Sequence, residues 1–164
     1  LFLPDVKFAD PALARKVMGD ERYPALAFAA VEAMVAARGF LEPWDPSGQR
    51  PARRGVLVRH LVLPGAVDNS LAVMEQLYRR FGPDLPLSLM SQYHPMPACR
   101  ARPPWDRRVA AEEYDAVTEA VGEMGFRRVY VQDRPDPARY VPDFRQPDPF
   151  APAAERSSPE KFPV

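Results

Sequence analysis

The sequence lacks the features that mark several large classes of protein. Its one cysteine among 164 residues excludes an internal disulfide framework and any metal site made of several cysteines of this chain. Basic and acidic residues balance at 22 each, which gives no electrostatic basis for a nucleic-acid or acidic-membrane partner. No apolar run approaches the roughly 20 residues that a membrane-spanning helix needs. We therefore expect a globular protein of the cytoplasm.

Common catalytic and nucleotide-binding motifs are missing as well. The sequence contains no GxGxxG, P-loop, HExxH or paired CxxC pattern, and no serine in a nucleophile elbow. What it has in excess is proline, with 21 residues, many of them within residues 95–104 and 134–163. Because proline-rich polar segments do not build a core, we predict one domain over residues 1–150 and a disordered tail over residues 151–164.

Helices and strands are predicted to alternate along the domain. Hydrophobic patterns predict strands at 1–8, 55–63, 85–91 and 127–132, and helices from Asp10-Pro11 to near Gly19, at 23–38, from Asp68 or Asn69 to Phe81, and at 110–124. The predicted apolar faces of the three longer helices are Leu26, Ala30, Ala33 and Ala37, then Leu71, Met74, Leu77 and Phe81, then Tyr114, Val117, Val121 and Met124. Strands that alternate with helices pair in parallel through right-handed crossovers, so the predicted fold class is α/β. Four such strands form either a small open sheet or about half of a barrel.

Polar residues stand at the ends of the predicted strands. They are Asp5 and Lys7 on the first strand, Pro64-Gly65 after the second, Gln92, Tyr93 and His94 after the third, and Gln132 and Asp133 after the fourth. In parallel α/β folds the carboxyl ends of all strands meet at one edge of the sheet, where ligands bind. The sequence therefore predicts a polar site at this edge.

Each of the candidate residues also has a purely structural interpretation. Asp5 and Lys7 point the same way from a strand, as either an exposed pair or part of a site. Arg59 interrupts an apolar strand and needs a carboxylate partner, which is either a structural side chain or a ligand. His60 points to the opposite side from Arg59, and we interpret it as a hydrogen-bonded histidine beneath a helix.

Several segments, in order, resemble a known enzyme family. LPDVKFAD at 3–10, VRHLVLPG at 58–65 and LMSQYHP at 89–95 are similar to the C-terminal half of radical S-adenosylmethionine proteins, and VYVQD at 129–133 and YVPDFR at 140–145 fit the relatives of pyruvate formate-lyase activating enzyme. The resemblance implies the C-terminal half of a partial (β/α)6 TIM-like barrel. It also implies a 4Fe–4S cluster that reductively cleaves S-adenosylmethionine to a 5′-deoxyadenosyl radical, which abstracts hydrogen from a substrate such as a glycyl-radical enzyme.

The same resemblance assigns cofactor-binding roles to four residues of this chain. It implies that Asp5 and Lys7 help to hold S-adenosylmethionine, that Arg59 lies near it, and that His94 lies near its ribose and adenine. The chemistry is suitable, because the methionyl carboxylate needs a cation and the ribose hydroxyls need hydrogen-bonding partners.

The chain departs from the family in one motif. The cluster-binding CxxxCxxC is missing and Cys99 cannot replace it, so the cluster ligands are expected outside this chain. Since the chain also begins inside a predicted strand, we expect a fragment that is inactive alone. Two other interpretations stay open: a non-catalytic α/β module that binds a ligand or partner at the strand ends, and a hydrolase-type half barrel that uses Asp5 and His94.

Overall fold

The computed structural model of the chain describes residues 1–99 and 101–132. Within them the fold is α/β, with four α-helices and a three-stranded parallel sheet, which confirms the predicted class. In chain order the elements are α1 (Pro11–Met18), α2 (Tyr23–Arg38), β1 (Val58–Leu61), α3 (Val67–Phe81), β2 (Leu87–Met90), a short 3₁₀ helix (Pro97–Cys99), α4 (Ala111–Glu123) and β3 (Val129–Val131). None of the helices in this part of the chain is both long and apolar enough to cross a membrane. The predicted tail at 151–164 and the YVPDFR segment at 140–145 lie outside the described residues.

The order of the strands in the sheet is their order in the chain. β1 pairs with β2 and β2 pairs with β3, both in parallel. Residues alternate along β1 and β2 between buried and half-exposed positions, which shows that the helices cover one face of the sheet. We call the opposite face the open face.

The first predicted strand is extended but is not a regular strand. It makes two isolated parallel bridges, one between Asp5 and Arg59 of β1 and one between Phe2 and Val56, which lies just before β1. Between them stands Pro4, which has no N–H to donate and so removes one bond of the ladder. The segment nevertheless lies beside β1 as a fourth, interrupted strand, which carries Asp5 into the sheet.

The core lies between the helices and the covered face of the sheet. Its fully buried side chains include Val58, Leu87 and Leu89 from the strands, Val73, Met74 and Leu77 from α3, and Val117 from α4. Burying such side chains contributes roughly 1.5–3 kcal/mol each, as an upper estimate. The predicted inward faces of α3 and α4 fit the structure except at Leu71, which is only partly buried. Met74, Leu77, Tyr114, Val117 and Val121 belong to this core, and Phe81 and Met124 pack against it.

The predicted face of α2 is wrong. Leu26, Ala30, Ala33 and Ala37 are exposed, and Leu26 keeps 59% of its surface in solvent. The helix instead buries Phe28 and Val31. The helix carries apolar side chains on most of its circumference, so hydrophobic periodicity alone does not select the face that packs on the core. The bulkier side chains bury more apolar area and thus determine the orientation.

The predicted cap of α3 is also wrong. The helix begins at Val67, and its N-cap residue Ala66 makes no side-chain capping bond. Asn69 lies inside the first turn and is buried, and its amide side chain binds the backbone of Lys7 and Ala9. That contact positions part of the candidate site.

Candidate functional site on the open face of the sheet

A row of four residues crosses the open face at one level. Asp5 pairs with Arg59, Arg59 with Ser88, and Ser88 with Tyr130. Residues paired in parallel strands point to the same side of the sheet, so their side chains are neighbours. All four are only partly buried, in contrast to Val6, His60 and Leu89, which face the helices and are fully buried. The row is polar throughout, which is unusual for the face of a parallel sheet.

At one end of the row, a carboxylate holds two cations. Arg59 donates from Nε to Oδ1 of Asp5 at 2.7 Å, and Lys7 donates from Nζ to Oδ2 at 3.1 Å. The exposed fractions of the Asp5, Lys7 and Arg59 side chains are 28%, 35% and 39%. We call these three residues the Asp5 cluster. With two cations and one anion, it carries one net positive charge.

The Asp5 cluster retains unused hydrogen-bond donors. Arg59 has five N–H groups, and Nε is the atom that contacts Asp5. Within the described residues, neither Nη atom of Arg59 has a protein partner. A guanidinium with both Nη atoms available can donate two parallel hydrogen bonds to a carboxylate that approaches end-on. Lys7, with further ammonium N–H groups, adds a second cation beside it. The cluster is therefore suited to hold a small anion.

The side chains of Tyr23 and Asn69 fix the backbone of the cluster. The Tyr23 hydroxyl donates to the carbonyl of Asp5 at 2.9 Å and accepts from the backbone N–H of Lys7 at 3.1 Å. Asn69 donates from Nδ2 to the carbonyl of Lys7 at 2.9 Å and accepts from the N–H of Ala9 at 3.0 Å. These two side chains hold the segment from both sides. Sequence reasoning missed both roles, although an asparagine beside an apolar helical stripe was an available signal.

His60 lies on the other side of β1, beneath α3. Its side chain is fully buried, with Nδ1 at 2.7 Å from the carbonyl of Val6 and Nε2 at 2.9 Å from the hydroxyl of Ser70. Since a carbonyl can only accept, Nδ1 carries the proton and Nε2 accepts from Ser70. Burial lowers the pKa of His60 to about 4. The interpretation of a hydrogen-bonded histidine beneath a helix is confirmed.

The polar stretch after β2 does not act as one group. Gln92 accepts from Nε2 of Gln132 at 3.3 Å, so the ends of β2 and β3 meet through their amides. Tyr93 donates to the carbonyl of Trp105 at 2.8 Å, and burial raises the pKa of Tyr93 to about 12. Tyr93 is thus a structural anchor for the proline-rich loop, whereas Gln92 and Gln132 form a polar edge.

His94 does not join the Asp5 cluster. It is exposed, and its Nδ1 lies 3.2 Å from a guanidinium nitrogen of Arg108. β2 ends at Met90, and His94 follows it through an irregular segment. The structure therefore brings together Asp5, Lys7 and Arg59 of the four predicted site residues. Within the described part of the chain no hydrogen bond or ion pair joins Asp5 to His94, so the geometry adds no support to the hydrolase interpretation.

No protein-family model, curated protein or solved structure matches the chain. The function of the site is therefore inferred from its geometry. Within residues 1–99 and 101–132, no group of three histidine, cysteine or acidic side chains is arranged to hold a metal ion. In the Asp5 cluster the carboxylate is engaged by both cations, which fixes the positions of Lys7 and Arg59. The arrangement can bind and orient an anion.

Proposed function

We propose that the open face binds the amino-acid carboxylate of S-adenosylmethionine, as the C-terminal part of a radical S-adenosylmethionine partial barrel. The observation that carries this proposal is the Asp5 cluster, where Arg59 has both Nη atoms without a partner in the described chain. Arg59 would hold the carboxylate end-on, and Lys7 would add a second positive charge. Asp5 would fix the two cations in place.

The architecture supports the barrel part of the proposal. Strands that follow chain order, with crossovers of one hand, place their helices on one face and leave the other face for a barrel interior. The sheet here has the order β1-β2-β3, with the first extended segment beside β1. The Asp5 cluster lies on the face that would line such an interior. A partial (β/α)6 barrel is the more closed form of this arrangement.

The cofactor and the cluster fit the chain differently. The methionyl carboxylate fits Arg59 and Lys7, and bound S-adenosylmethionine supplies a 5′-deoxyadenosyl group for radical chemistry in enzymes of this type. A 4Fe–4S cluster does not fit, because one cysteine cannot supply its thiolates. We therefore propose that the cluster ligands lie on polypeptide outside this chain. For the protein substrate, we propose a glycyl-radical enzyme.

Calorimetric titration of the chain with S-adenosylmethionine tests the proposal. We expect Arg59→Met to weaken binding by about tenfold or more, because a charge-assisted bidentate contact contributes about 1.5–3 kcal/mol. The matched control is Arg79→Met, which removes an exposed arginine paired with Glu75 on α3 and should leave the affinity unchanged. Absence of binding by the unmodified chain, or equal weakening by both variants, would contradict the proposal.

The two ion pairs of Asp5 favour a second candidate function. A carboxylate already bound by two cations can stabilise the fold and position those cations for a ligand, so a non-catalytic α/β module that binds an anionic ligand is the alternative. Anaerobic reconstitution of the complete gene product with iron and sulfide separates the two. A stable 4Fe–4S absorption spectrum supports the radical enzyme, whereas retained ligand binding without iron supports the binding module.

A further inference from the structure

A wide-open concavity lies at the amino-terminal ends of the strands. Its lining residues are Glu42, Pro43, Trp44, Arg53, Arg54 and Arg128, and its volume is about 490 Å³. Arg128 directly precedes β3, and Arg54 lies shortly before β1. We call this concavity the arginine cleft. It is separate from the Asp5 cluster, which lies farther along the strands.

The backbone around the arginine cleft is held in place. Glu42 and Arg54 form an antiparallel bridge, in which the N–H of Glu42 donates to the carbonyl of Arg54 at 2.9 Å and the N–H of Arg53 donates to the carbonyl of Glu42 at 2.8 Å. This closes the intervening segment into a loop. Within the loop, Asp45 accepts from the backbone N–H groups of Ser47 and Arg50 at 3.0 and 2.6 Å. The polar loop at 42–54 can thus present side chains in fixed positions.

The charges in the arginine cleft are not balanced. Arg54 donates to Glu42 at 2.7 Å, which neutralises one guanidinium. Within the described residues, Arg53 and Arg128 have no carboxylate partner. The pKa of Glu42 is lowered, first by its hydrogen bond to Arg54 and also by the charge of Arg128, which is consistent with their closeness. Two unpaired guanidinium groups around one concavity attract an anion with two negative charges.

An aromatic surface accompanies these charges. The Trp44 ring packs on Tyr130 with ring centroids 4.5 Å apart, and the Tyr130 hydroxyl donates to the carbonyl of Asp45 at 2.5 Å. Trp44 is therefore fixed while it lines the cleft. A flat ring beside two guanidinium groups matches a small ligand that has a planar base and a phosphate group.

We propose that the arginine cleft binds a nucleoside diphosphate or a related small phosphate ester. Arg53 and Arg128 hold the phosphate oxygens, and Trp44 contacts the base. The terminal phosphate group of such a ligand carries a charge close to minus two at neutral pH, which the two unpaired guanidinium groups balance. The neutral total charge of the chain favours such a compact ligand over a polynucleotide, which needs an extended basic surface.

Calorimetric titration of the chain with ADP, pyrophosphate and adenosine tests this site. We expect ADP to bind most tightly and adenosine most weakly. The double variant Arg53→Gln/Arg128→Gln should weaken ADP and pyrophosphate by about tenfold or more, since each lost contact is charge-assisted. Trp44→Leu should weaken ADP but not pyrophosphate. Arg53 is exposed and Arg128 is partly exposed, so circular dichroism should show an unchanged fold.

Two controls distinguish this site from the Asp5 cluster. Arg59→Met should leave ADP affinity unchanged, and the double arginine variant should leave S-adenosylmethionine affinity unchanged. Arg38→Gln, an exposed residue at the end of α2, controls for the loss of positive charge. Equal ADP binding by the double variant and the unmodified chain would overturn the proposal, as would tighter binding of a single-stranded oligonucleotide than of ADP.

Discussion

Arg59 donates from Nε to Oδ1 of Asp5 across 2.7 Å, and this ion pair joins two adjacent parallel segments on the open face. The same carboxylate holds Lys7. One acidic side chain therefore sets the positions of two cations and leaves a net positive charge. The Asp5 cluster can both stabilise the fold and bind a ligand, and separate substitutions can distinguish the two roles.

Asp5→Asn should lower the free energy of unfolding by about 1 kcal/mol. The substitution removes the carboxylate between two cations, but all three side chains are partly exposed, so solvent screens the interaction. Urea denaturation measures the change. Asp84→Asn, which removes the exposed partner of Arg127 at 3.5 Å, is the matched control and should change stability by less than about 0.5 kcal/mol. A larger effect at Asp84 than at Asp5 would contradict the importance of the cluster.

His60 should make stability depend on pH between about 4 and 6.5. The pKa of His60 is lowered from 6.5 to about 4, so the unfolded chain binds a proton in this window while the folded chain does not. The contribution of neutral His60 to the free energy of unfolding is fully present above pH 6.5. It is lost as the pH falls toward 4, which lowers the free energy of unfolding by roughly 3 kcal/mol at most.

Proton NMR can assign this titration directly. The chain has two histidines, so His94→Gln leaves a spectrum with the His60 imidazole alone. We expect its ring resonances to stay constant from about pH 8 to about pH 5 and to shift only near pH 4, where unfolding follows. A midpoint near 6.5 in the folded protein would show that the imidazole is not buried as described.

Gly55→Ala should destabilise the fold by at least about 3 kcal/mol. Gly55 has a φ of +104°, and a Cβ there would overlap the backbone carbonyl of Phe40, so strain and steric overlap add together. Gly82→Ala is the control, because Gly82 has a φ of +75° and a Cβ added to it would meet no atom within 4 Å. Gly82→Ala should lower the free energy of unfolding by only about 1 kcal/mol, because alanine must then adopt the left-handed conformation. Thermal unfolding of the two variants measures the difference.

Asn69→Ala should destabilise the fold by about 2 kcal/mol and weaken ligand binding at the Asp5 cluster. The buried side chain binds the carbonyl of Lys7 and the N–H of Ala9, and its loss leaves both backbone groups without these partners. Chemical denaturation gives the stability and calorimetry gives the affinity. Ser70→Ala, in the next position of α3, removes a bond to His60 instead, so it should affect stability but not affinity.

The alternation of helices and strands could be predicted from the sequence because local patterns determine it. Asp10 and Pro11 marked the start of α1, and Asp10 indeed accepts from the N–H of Ala12 at 2.8 Å. The face of α2 could not be predicted, because that helix is apolar around its circumference. Pro4 indicated that the first strand is interrupted. Its effect on the sheet could not be predicted, because it depends on which carbonyl of the neighbouring strand loses a hydrogen-bond donor.

The candidate site was partly predictable for a related reason. Asp5 and Lys7 share a face by strand periodicity, and Arg59 needed a carboxylate, so their association was foreseeable. The position of His94 was not, because it follows β2 through an irregular segment whose path depends on tertiary contacts. The partners of Asn69 lie about 60 positions away in the chain, a separation that local sequence reasoning does not reach.

The most direct test of the central claim is a cycle that pairs one protein substitution with one ligand change. Binding of S-adenosylhomocysteine and of 5′-methylthioadenosine, which lacks the amino-acid carboxylate, is measured for the unmodified chain and for Arg59→Met. If Arg59 holds the carboxylate, the substitution weakens S-adenosylhomocysteine by about tenfold or more and leaves 5′-methylthioadenosine unchanged, a coupling of at least about 1.4 kcal/mol. Equal effects on the two ligands, with no coupling, would contradict the assignment of the open face as the cofactor site.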